Sequence, residues 1–222
     1  MSGNQPRRVR SHPPIGERVR AERLARGLSL RELADRVGLS PSLISQIETG
    51  RARPSVQTLY ALADELTISI DELLFPNGRL DAAVEERGER ADSEQAPVQR
   101  AATRKRIRLA SGVVWERLTT RSDPETEFLY VIYEVGGASS PEHEFQRHGG
   151  REWGFVISGR LGVTIAFDDH ELGPGDAISF ESSTPHRLYN SGEEHVHAVW
   201  FVLGRTSGER ERQPHPHERA AP

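Results

Sequence analysis

Residues 28–74 read LSLRELADRVGLSPSLISQIETGRARPSVQTLYALADELTISIDELL, and this stretch decides the fold of the N-terminal part of the chain. Apolar residues recur in it every three or four positions, which is the spacing of amphipathic helices. Glycines and helix-capping residues divide the pattern into short segments. The sequence therefore predicts a bundle of short helices in this part of the chain.

Capping residues mark where these helices begin. Ser29, with Glu32 three positions later, forms a capping box that opens the second helix. Ser40 is an N-cap residue, and Pro41 follows it at the first helical position of the third helix. With comparable signals before and after them, five short helices are expected over residues 14–75.

The first helix is expected to bury one apolar stripe. Ile15, Val19 and the pair Leu24 and Ala25 fall at helical spacing. Gly27 follows them where a glycine commonly ends a helix. We therefore expect these four apolar side chains in the core of the bundle.

The third helix has two faces of different chemistry. Its apolar residues fall on one side and are expected to face the core. The other side is polar, and a helix lying in the major groove of DNA presents such a side to the edges of the bases. Glutamine can form two hydrogen bonds with adenine, and serine can bond to several bases. The polar face consists of Ser42, Ser45 and Gln46.

The same stretch resembles the lambda-repressor-like, or XRE-type, helix-turn-helix family, whose elements LA, G-x-S, IS-x-IE-x-G, PS and L-x-x-LA occur here in the family's order. The resemblance implies that the third helix enters the major groove of double-stranded DNA and that the following loop contacts phosphate. It also implies a homodimer on a near-palindromic operator, and it makes Glu48 an anchor of the fold. The implied base-reading or groove-edge residues are Ser40, Ser42, Ser45 and Gln46, and the implied phosphate contacts are Arg51, Arg53 and Ser55.

The composition changes after the helical region. Residues 76–106 are charged and poor in large apolar groups, which predicts a linker, either a broken helix or a flexible tether. Residues 107–204 contain short β-branched and aromatic runs between Gly, Pro, Asp and Ser turns, which predicts an all-β sandwich or barrel. The polar residues 1–13 and 205–222 are expected to be a disordered arm and tail.

The net charge of −4 is unevenly divided along the chain. Residues 1–75 carry 11 basic and 9 acidic side chains, whereas residues 107–204 carry 7 and 15. This difference predicts two domains with different partners. The chain has no cysteine, no secretory signal and no run of about 18 apolar residues. We therefore expect a cytoplasmic protein without disulfides, thiolate metal sites or a membrane span.

Two motifs stand out in the β-rich region. The first places Glu152 four residues after His148 and Gly159 seven residues later, and the second places His186 eleven residues after Gly175. These spacings resemble the two motifs of the cupin superfamily, H-x-H-x3-E-x6-G and G-x5-P-x-G-x2-H-x3-N. The resemblance implies a double-stranded β-helix, or jelly-roll, barrel.

The cupin resemblance also implies where a metal ion would lie. Metal-binding cupins use three histidines and one carboxylate, and the matching positions here are Gln146, His148, Glu152 and His186. Glutamine thus replaces one histidine and offers an amide oxygen as a weak fourth ligand. The remaining set of His148, Glu152 and His186 suits Fe(II), Mn(II), Ni(II) or Zn(II). His143 is no obvious substitute, because it would point to the opposite face of a regular strand.

Three uses of this polar cluster stay open from the sequence. Gln146, His148, Glu152 and His186 can bind a small-molecule effector directly, hold a metal ion, or form a purely structural cluster. The large aromatic residues of the same region are expected in the barrel core more than on a ligand platform. These residues are Trp153, Phe155 and Trp200.

The two modules together resemble a group of bacterial regulators in which a cupin domain senses an effector. This resemblance implies a one-component switch, in which the effector alters the placement of two DNA-reading domains in a dimer. We therefore expect a sequence-specific DNA-binding transcriptional regulator, a repressor more than an activator, and not an enzyme. The alternatives are a DNA-tethered metal-dependent cupin enzyme, such as an oxygenase or isomerase, and a protein-binding adaptor.

Overall fold

The computed structural model describes residues 15–74, 97–123 and 125–204. The arm expected over residues 1–13, the tail expected over residues 205–222 and the linker as far as residue 96 lie outside the described residues. The described chain forms a helical domain followed by a β-domain, which is the fold class that the sequence predicted.

Five helices form the N-terminal domain over the described residues 15–74, as predicted. The longest has 11 residues, and within the described residues none has the length and apolar character needed to cross a bilayer. The helices are α1 (Ile15–Ala25), α2 (Leu30–Val37), α3 (Pro41–Glu48), α4 (Val56–Glu65) and α5 (Ile70–Leu74).

The predicted caps are present at the starts of α2 and α3. The Ser29 hydroxyl accepts from the Glu32 backbone N–H, and the Glu32 carboxylate accepts from the Ser29 N–H at 2.8 Å, so the capping box is complete. The Ser40 hydroxyl accepts from the Leu43 N–H at 3.2 Å. Between these helices Gly38 has a φ of 70°, a left-handed conformation that glycine adopts without strain. Local sequence chemistry thus sets the turn between α2 and α3.

The stripe predicted for α1 is wrong at two positions, because Leu24 and Ala25 are both exposed. Val19 is fully buried, but Leu24 is 56% exposed, and its neighbour Arg23 is buried in its place. The Arg23 guanidinium can be buried because it is hydrogen-bonded. It donates to both carboxylate oxygens of Glu48, at 2.6 and 2.9 Å, and to the Leu28 carbonyl at 2.7 Å. The bundle therefore contains a buried ion pair between α1 and the end of α3. As expected, Glu48 anchors the fold.

The β-domain consists of two antiparallel sheets that enclose a core. In the described residues, the larger sheet has the strand order β1-β2-β3-β9-β4-β7 and the smaller one the order β6-β5-β8. Gly159, the glycine of the first motif, has a φ of 82° in the turn between β4 and β5. The strands are β1 (Arg106–Arg108), β2 (Val113–Arg117), β3 (Thr126–Tyr133), β4 (Arg151–Ser158), β5 (Leu161–Ile165), β6 (Asp168–Leu172), β7 (Ala177–Glu181), β8 (His186–Asn190) and β9 (Val196–Leu203).

The end of the predicted linker contacts the barrel. A 3₁₀ helix spans Ala101–Thr103, and β1 begins at residue 106, one residue before the expected domain boundary. The Lys105 carbonyl accepts from the Arg117 N–H at 2.9 Å. Residues 97–106 thus lead into the edge of the larger sheet, because β1 pairs with β2 there.

The barrel core holds only one of the three large aromatic residues assigned to it. Trp200 is 5% exposed, whereas Trp153 is 36% and Phe155 is 46% exposed. The prediction was wrong for these two because successive side chains of a strand alternate between the faces of the sheet. On β4 the inward positions belong to Glu152 and Val156.

Candidate metal centre and DNA interface

A small cavity lies between the two sheets, with a volume of about 20 Å³. The four polar residues that the sequence singled out, Gln146, His148, Glu152 and His186, all line it. Each of them is less than 9% exposed. The apolar and aromatic part of the lining comes from the sheets and from α4, and consists of Val56, Tyr60, Trp115, Leu129, Val131, Tyr133, Leu188 and Trp200.

Backbone hydrogen bonds hold the polar residues in register. Gln146 and His186 exchange two of them, with N···O distances of 2.9 and 3.0 Å, and the His148 N–H donates to the Ser182 carbonyl at 3.1 Å. Glu152 is placed by the β4 ladder, where it pairs with residues of β7 and β9. Main-chain hydrogen bonds therefore fix the backbone that carries all four side chains, although 40 residues separate Gln146 from His186.

The three predicted metal ligands converge on one point. His148 Nε2 lies 3.0 Å and His186 Nε2 lies 3.3 Å from Glu152 Oε1. One ligand atom from each residue can be chosen so that all three lie within 4.8 Å of one another. Within the described part of the chain, neither His148 Nε2 nor Glu152 Oε1 has a hydrogen-bond partner of good geometry.

Backbone carbonyl groups determine which nitrogen of each imidazole directs its lone pair into the cavity. His148 Nδ1 lies 2.9 Å from the Gly149 carbonyl oxygen, and His186 Nδ1 lies 2.9 Å from that of Thr184. A carbonyl oxygen can only accept, so each Nδ1 carries a hydrogen and donates it. In the neutral ring Nε2 is then the acceptor, which is the tautomer of a histidine that binds metal through Nε2.

Trp200 on β9 orients the carboxylate of Glu152. The indole Nε1 donates to Glu152 Oε2 at 2.6 Å, which leaves Oε1 directed to the two imidazoles. Gly154 makes room for this indole, since a Cβ at that position would overlap the Trp200 ring. Sequence reasoning missed this role of Trp200, because it depends on the register between β4 and β9, 48 residues apart.

The electrostatics of the cavity keep Glu152 ionised. Burial by itself raises the pKa of this carboxyl, but the contact with His148, the charge that His148 and His186 carry when protonated and the Trp200 hydrogen bond outweigh it and lower the pKa to about 2. Burial, with the nearby charge of Glu152, raises the pKa of the Tyr133 phenol well above its ordinary value. The cavity therefore contains a buried anion and a phenol that stays protonated.

The donor set fits a divalent metal ion. In the neutral state of the rings, two imidazole nitrogens and one carboxylate oxygen are acceptors. If neither a proton nor a cation lies between them, the negative charge of Glu152 is buried without compensation. The Gln146 side chain donates through Nε2 to the Ser139 carbonyl at 3.3 Å, so its other polar atom is also an acceptor. His143 takes no part, since its side chain is 91% exposed. His148, Glu152 and His186 can thus hold an ion, with Gln146 beside them.

The polar face of α3 is open to solvent. Ser42 and Gln46 are exposed one helical turn apart, and Gln46 Nε2 donates to the Ser42 hydroxyl at 3.4 Å. Ser45 is half-buried. Opposite them Ile44 and Ile47 are buried, as the pattern of the helix predicted. The structure therefore places these three polar residues together on the accessible side of α3.

The remaining predicted DNA contacts come directly before and after α3 in the chain. Ser40 and Ser55 are the N-caps of α3 and α4, and their hydroxyl groups accept from the Leu43 and Thr58 N–H groups. Arg51 and Arg53 are exposed in the loop between the two helices, so their guanidinium groups can reach a phosphate backbone.

Both domains match known protein families. The helix-turn-helix family HTH_3 matches residues 19–73, and the cupin domain family Cupin_2 matches residues 123–202. PuuR, an HTH-type transcriptional regulator of Escherichia coli (strain K12), is 27% identical over 176 residues, which cover 79% of this chain and 87% of PuuR. RghRB, an uncharacterized HTH-type transcriptional regulator of Bacillus subtilis (strain 168), is 32% identical over 112 residues, or 48% of this chain and 81% of RghRB.

The arrangement of the whole chain also has a counterpart among solved structures. The crystal structure of an HTH_3 family transcriptional regulator from Vibrio cholerae is 23% identical and has a TM-score of 0.59. The match covers 86% of this chain and 94% of that one, so the two share a fold. On these matches, the chain belongs to the HTH-type transcriptional regulators, with a helix-turn-helix domain of the HTH_3 family joined to a cupin domain.

Proposed function

We propose that this regulator reads an operator with α3 and that its cupin cavity senses a divalent metal ion, whose binding changes the affinity for DNA. The observation that carries the sensing part is the convergence of His148 Nε2, His186 Nε2 and Glu152 Oε1 in a buried cavity. When bound, the ion supplies the positive charge that this cluster of acceptors lacks.

The size of the cavity supports a metal ion over an organic effector. Its volume of about 20 Å³ holds an ion or a water molecule, whereas sites for organic ligands commonly measure about 300–1,000 Å³. The same lack of space argues against the tethered oxygenase or isomerase, which must admit a substrate beside the ion. The nitrogen and oxygen donors are compatible with Zn(II), Fe(II), Mn(II) or Ni(II).

The surface around α3 supports sequence-specific DNA binding. Ser42 and Gln46 offer hydrogen bonds to base edges, and Arg51 and Arg53 flank them with positive charge for phosphates. Ser40, Ser45 and Ser55 complete the proposed contact surface. We expect a homodimer whose two α3 helices read the halves of a near-palindromic operator, in the cytoplasm and as a repressor.

Capture of sheared genomic DNA by the full-length chain, followed by sequencing, tests the DNA-reading part of the proposal. We expect a few sharp, near-palindromic sites. Gln46→Ala should lower the preference for such a site by about 1–3 kcal/mol, because a base contact is lost. Arg53→Ala is the matched comparison, since loss of a phosphate contact weakens binding to all sequences. It should also lower the slope of log affinity against log salt concentration by about one.

Two results would contradict this part. One is diffuse, salt-sensitive recovery of DNA without a motif, which would favour the protein-binding adaptor. The other is a Gln46→Ala variant that loses specific and non-specific binding equally.

The sensing part is tested on an operator found in this way. We expect the operator affinity in Zn²⁺ to differ from that in EDTA by about 5- to 150-fold, the usual range of coupling between sites. His186→Ala should bind the operator and lose this difference. Equal affinities of the wild-type chain in Zn²⁺ and EDTA would contradict metal sensing and leave DNA reading untouched.

A further inference from the structure

The DNA-binding domain supplies part of the wall of the cupin cavity. Tyr60 and Val56 of α4 both line the cavity beside the polar cluster. The Tyr60 ring lies 4.8 Å from the imidazole of His148, with an angle of 33° between the planes, and 5.8 Å from the ring of Trp115. These centroid distances fall in the range of attractive aromatic pairs. A side chain of the reading domain therefore touches a predicted metal ligand directly.

A second contact fixes the start of α4 to the barrel. The Ala110 N–H, in the turn between β1 and β2, donates to the Pro54 carbonyl at 3.0 Å. Pro54 follows Arg53 directly in the chain, so this contact adjoins the loop proposed to bind phosphate. Between residues 54 and 60 the helical domain thus touches the barrel through its main chain and through an aromatic ring.

The helix that carries Tyr60 is packed firmly into the helical domain. Leu59 and Leu62, on either side of Tyr60, are fully buried in its core. α2 packs against both α3 and α4. Since packed interiors transmit displacement instead of absorbing it, a shift of α4 against the barrel moves the α2–α3 pair as well.

We propose that Tyr60 is a positioning residue of the cupin site and that it couples the state of His148 to the DNA-reading domain. The His148 ring has one edge directed to the cavity and one ring contact with Tyr60. Any ion or ligand that reorients this imidazole therefore changes the contact with α4. The metal as the physiological input rests on the proposed function, whereas the contact between His148 and Tyr60 does not.

Hydrogen–deuterium exchange of the full-length chain in EDTA tests the coupling without any metal. The amides of α4 are followed in the wild type, in His148→Ala and in Tyr60→Ala. We expect both substitutions to raise exchange in α4 on the order of fivefold or more, although His148 lies in the barrel. Tyr60→Phe keeps the ring contact with His148, so exchange in α4 should rise less in this variant than in Tyr60→Ala. Phe167→Ala, at a barrel position that is 99% exposed, is the control for substitutions in general.

Circular dichroism of each variant identifies one that has lost its fold, and Tyr60→Leu then replaces Tyr60→Ala. If His148→Ala leaves exchange in α4 at the wild-type level in a folded chain, the coupling is overturned. The same holds if Phe167→Ala raises exchange in α4 as much as His148→Ala does.

Zn²⁺ then separates this inference from the proposed function. We expect the wild type to bind one Zn²⁺ per chain by calorimetry and to change its exchange in α4 on binding. At a Zn²⁺ concentration that saturates it, Tyr60→Ala should show no such change. If Zn²⁺ binds and α4 responds equally in both, the coupling through Tyr60 is overturned and the metal site stands. If Zn²⁺ binds to neither, the metal proposal fails, and the comparison in EDTA still decides for or against the coupling.

Discussion

Glu48 in the helical domain and Glu152 in the barrel are both buried carboxylates, with exposures of 7% and 2%, but their surroundings differ. Glu48 receives two hydrogen bonds from the Arg23 guanidinium, which also donates to the Leu28 carbonyl. Glu152 receives one hydrogen bond from Trp200, and its other oxygen faces two imidazole nitrogens that act as acceptors in their neutral form.

The difference shows how a buried charge that stabilises the fold can be distinguished from one that belongs to a ligand-binding site. The Arg23–Glu48 pair is complete, because each oxygen of the carboxylate accepts a hydrogen bond from a permanent cation, and a third donor of that cation meets the Leu28 carbonyl. The Glu152 cluster is incomplete while the imidazoles are neutral, because Glu152 Oε1 and His148 Nε2 are then two acceptors that face each other without a donor between them. Burial of a carboxylate is common to both, so the balance of donors and acceptors around it is what indicates ligand binding.

The largest expected effect comes from breaking the complete pair. Glu48→Ala should lower the free energy of unfolding of the helical domain by about 3–5 kcal/mol, since it leaves the Arg23 charge buried and unpaired. Urea denaturation followed by circular dichroism measures this loss. Glu22→Ala is the matched control, because Glu22 pairs at the surface of α1 with Arg18 and Arg26 and should cost about 1 kcal/mol or less. A loss for Glu48→Ala no greater than that for Glu22→Ala would show that the buried pair is not structural.

The next effect concerns the incomplete cluster. A saturating metal ion should stabilise the wild-type chain, by about 2.7 kcal/mol at a free concentration one hundred times Kd. Glu152→Gln removes the charged ligand and should abolish this gain in Zn²⁺. Thermal unfolding in EDTA and in Zn²⁺ gives both values. A Glu152→Gln chain that gains as much stability from Zn²⁺ as the wild type would show that Glu152 is not the charged ligand.

A smaller effect sharpens the role of Trp200. Gly154→Ala places a methyl group in the volume of the Trp200 ring and should cost about 1–3 kcal/mol through overpacking. Since the indole orients Glu152, the variant should also bind Zn²⁺ more weakly, as calorimetry can measure. Gly173→Ala is the matched control, because a Cβ there meets only the Asp176 side chain at 3.7 Å. Unchanged Zn²⁺ affinity in Gly154→Ala would contradict the orienting role of Trp200.

The last effect is a pH dependence that comes from Glu152. Its pKa is lowered in the folded chain from an ordinary value of 4.5 to about 2. A lowered carboxyl pKa stabilises the folded state above pH 4.5, and this stabilisation is lost as the pH falls from about 4.5 to about 2. In EDTA, the wild type should therefore lose stability relative to Glu152→Gln over this range. Parallel stability curves for the two chains would show that Glu152 is not held ionised.

The sequence predicted those features that depend on neighbouring residues or on fixed spacings. Ser29, Glu32 and Ser40 form caps within three residues of their partners, and the positive φ of Gly159 belongs to a tight turn. The cupin spacing likewise located His148 and Glu152, which line the cavity together.

The features that the sequence did not predict depend on distant segments. Arg23 displaces Leu24 from the core because Glu48 is 25 residues away in the chain and adjacent in the fold. Trp200 meets Glu152 across 48 residues. Tyr60 reaches the barrel only because the two domains pack together. Neither the helical pattern nor the strand pattern encodes these pairings, since the periodicity of an element says which face is apolar but not what it meets.

Calorimetric titration of the EDTA-treated full-length chain with Zn²⁺, beside Glu152→Gln, tests the contrast between the two carboxylates most directly. We expect saturable binding of one ion per chain by the wild type and no such binding by Glu152→Gln. A wild-type chain that binds no ion, or a variant that binds as the wild type does, would contradict the assignment of the His148–Glu152–His186 cluster as a metal site.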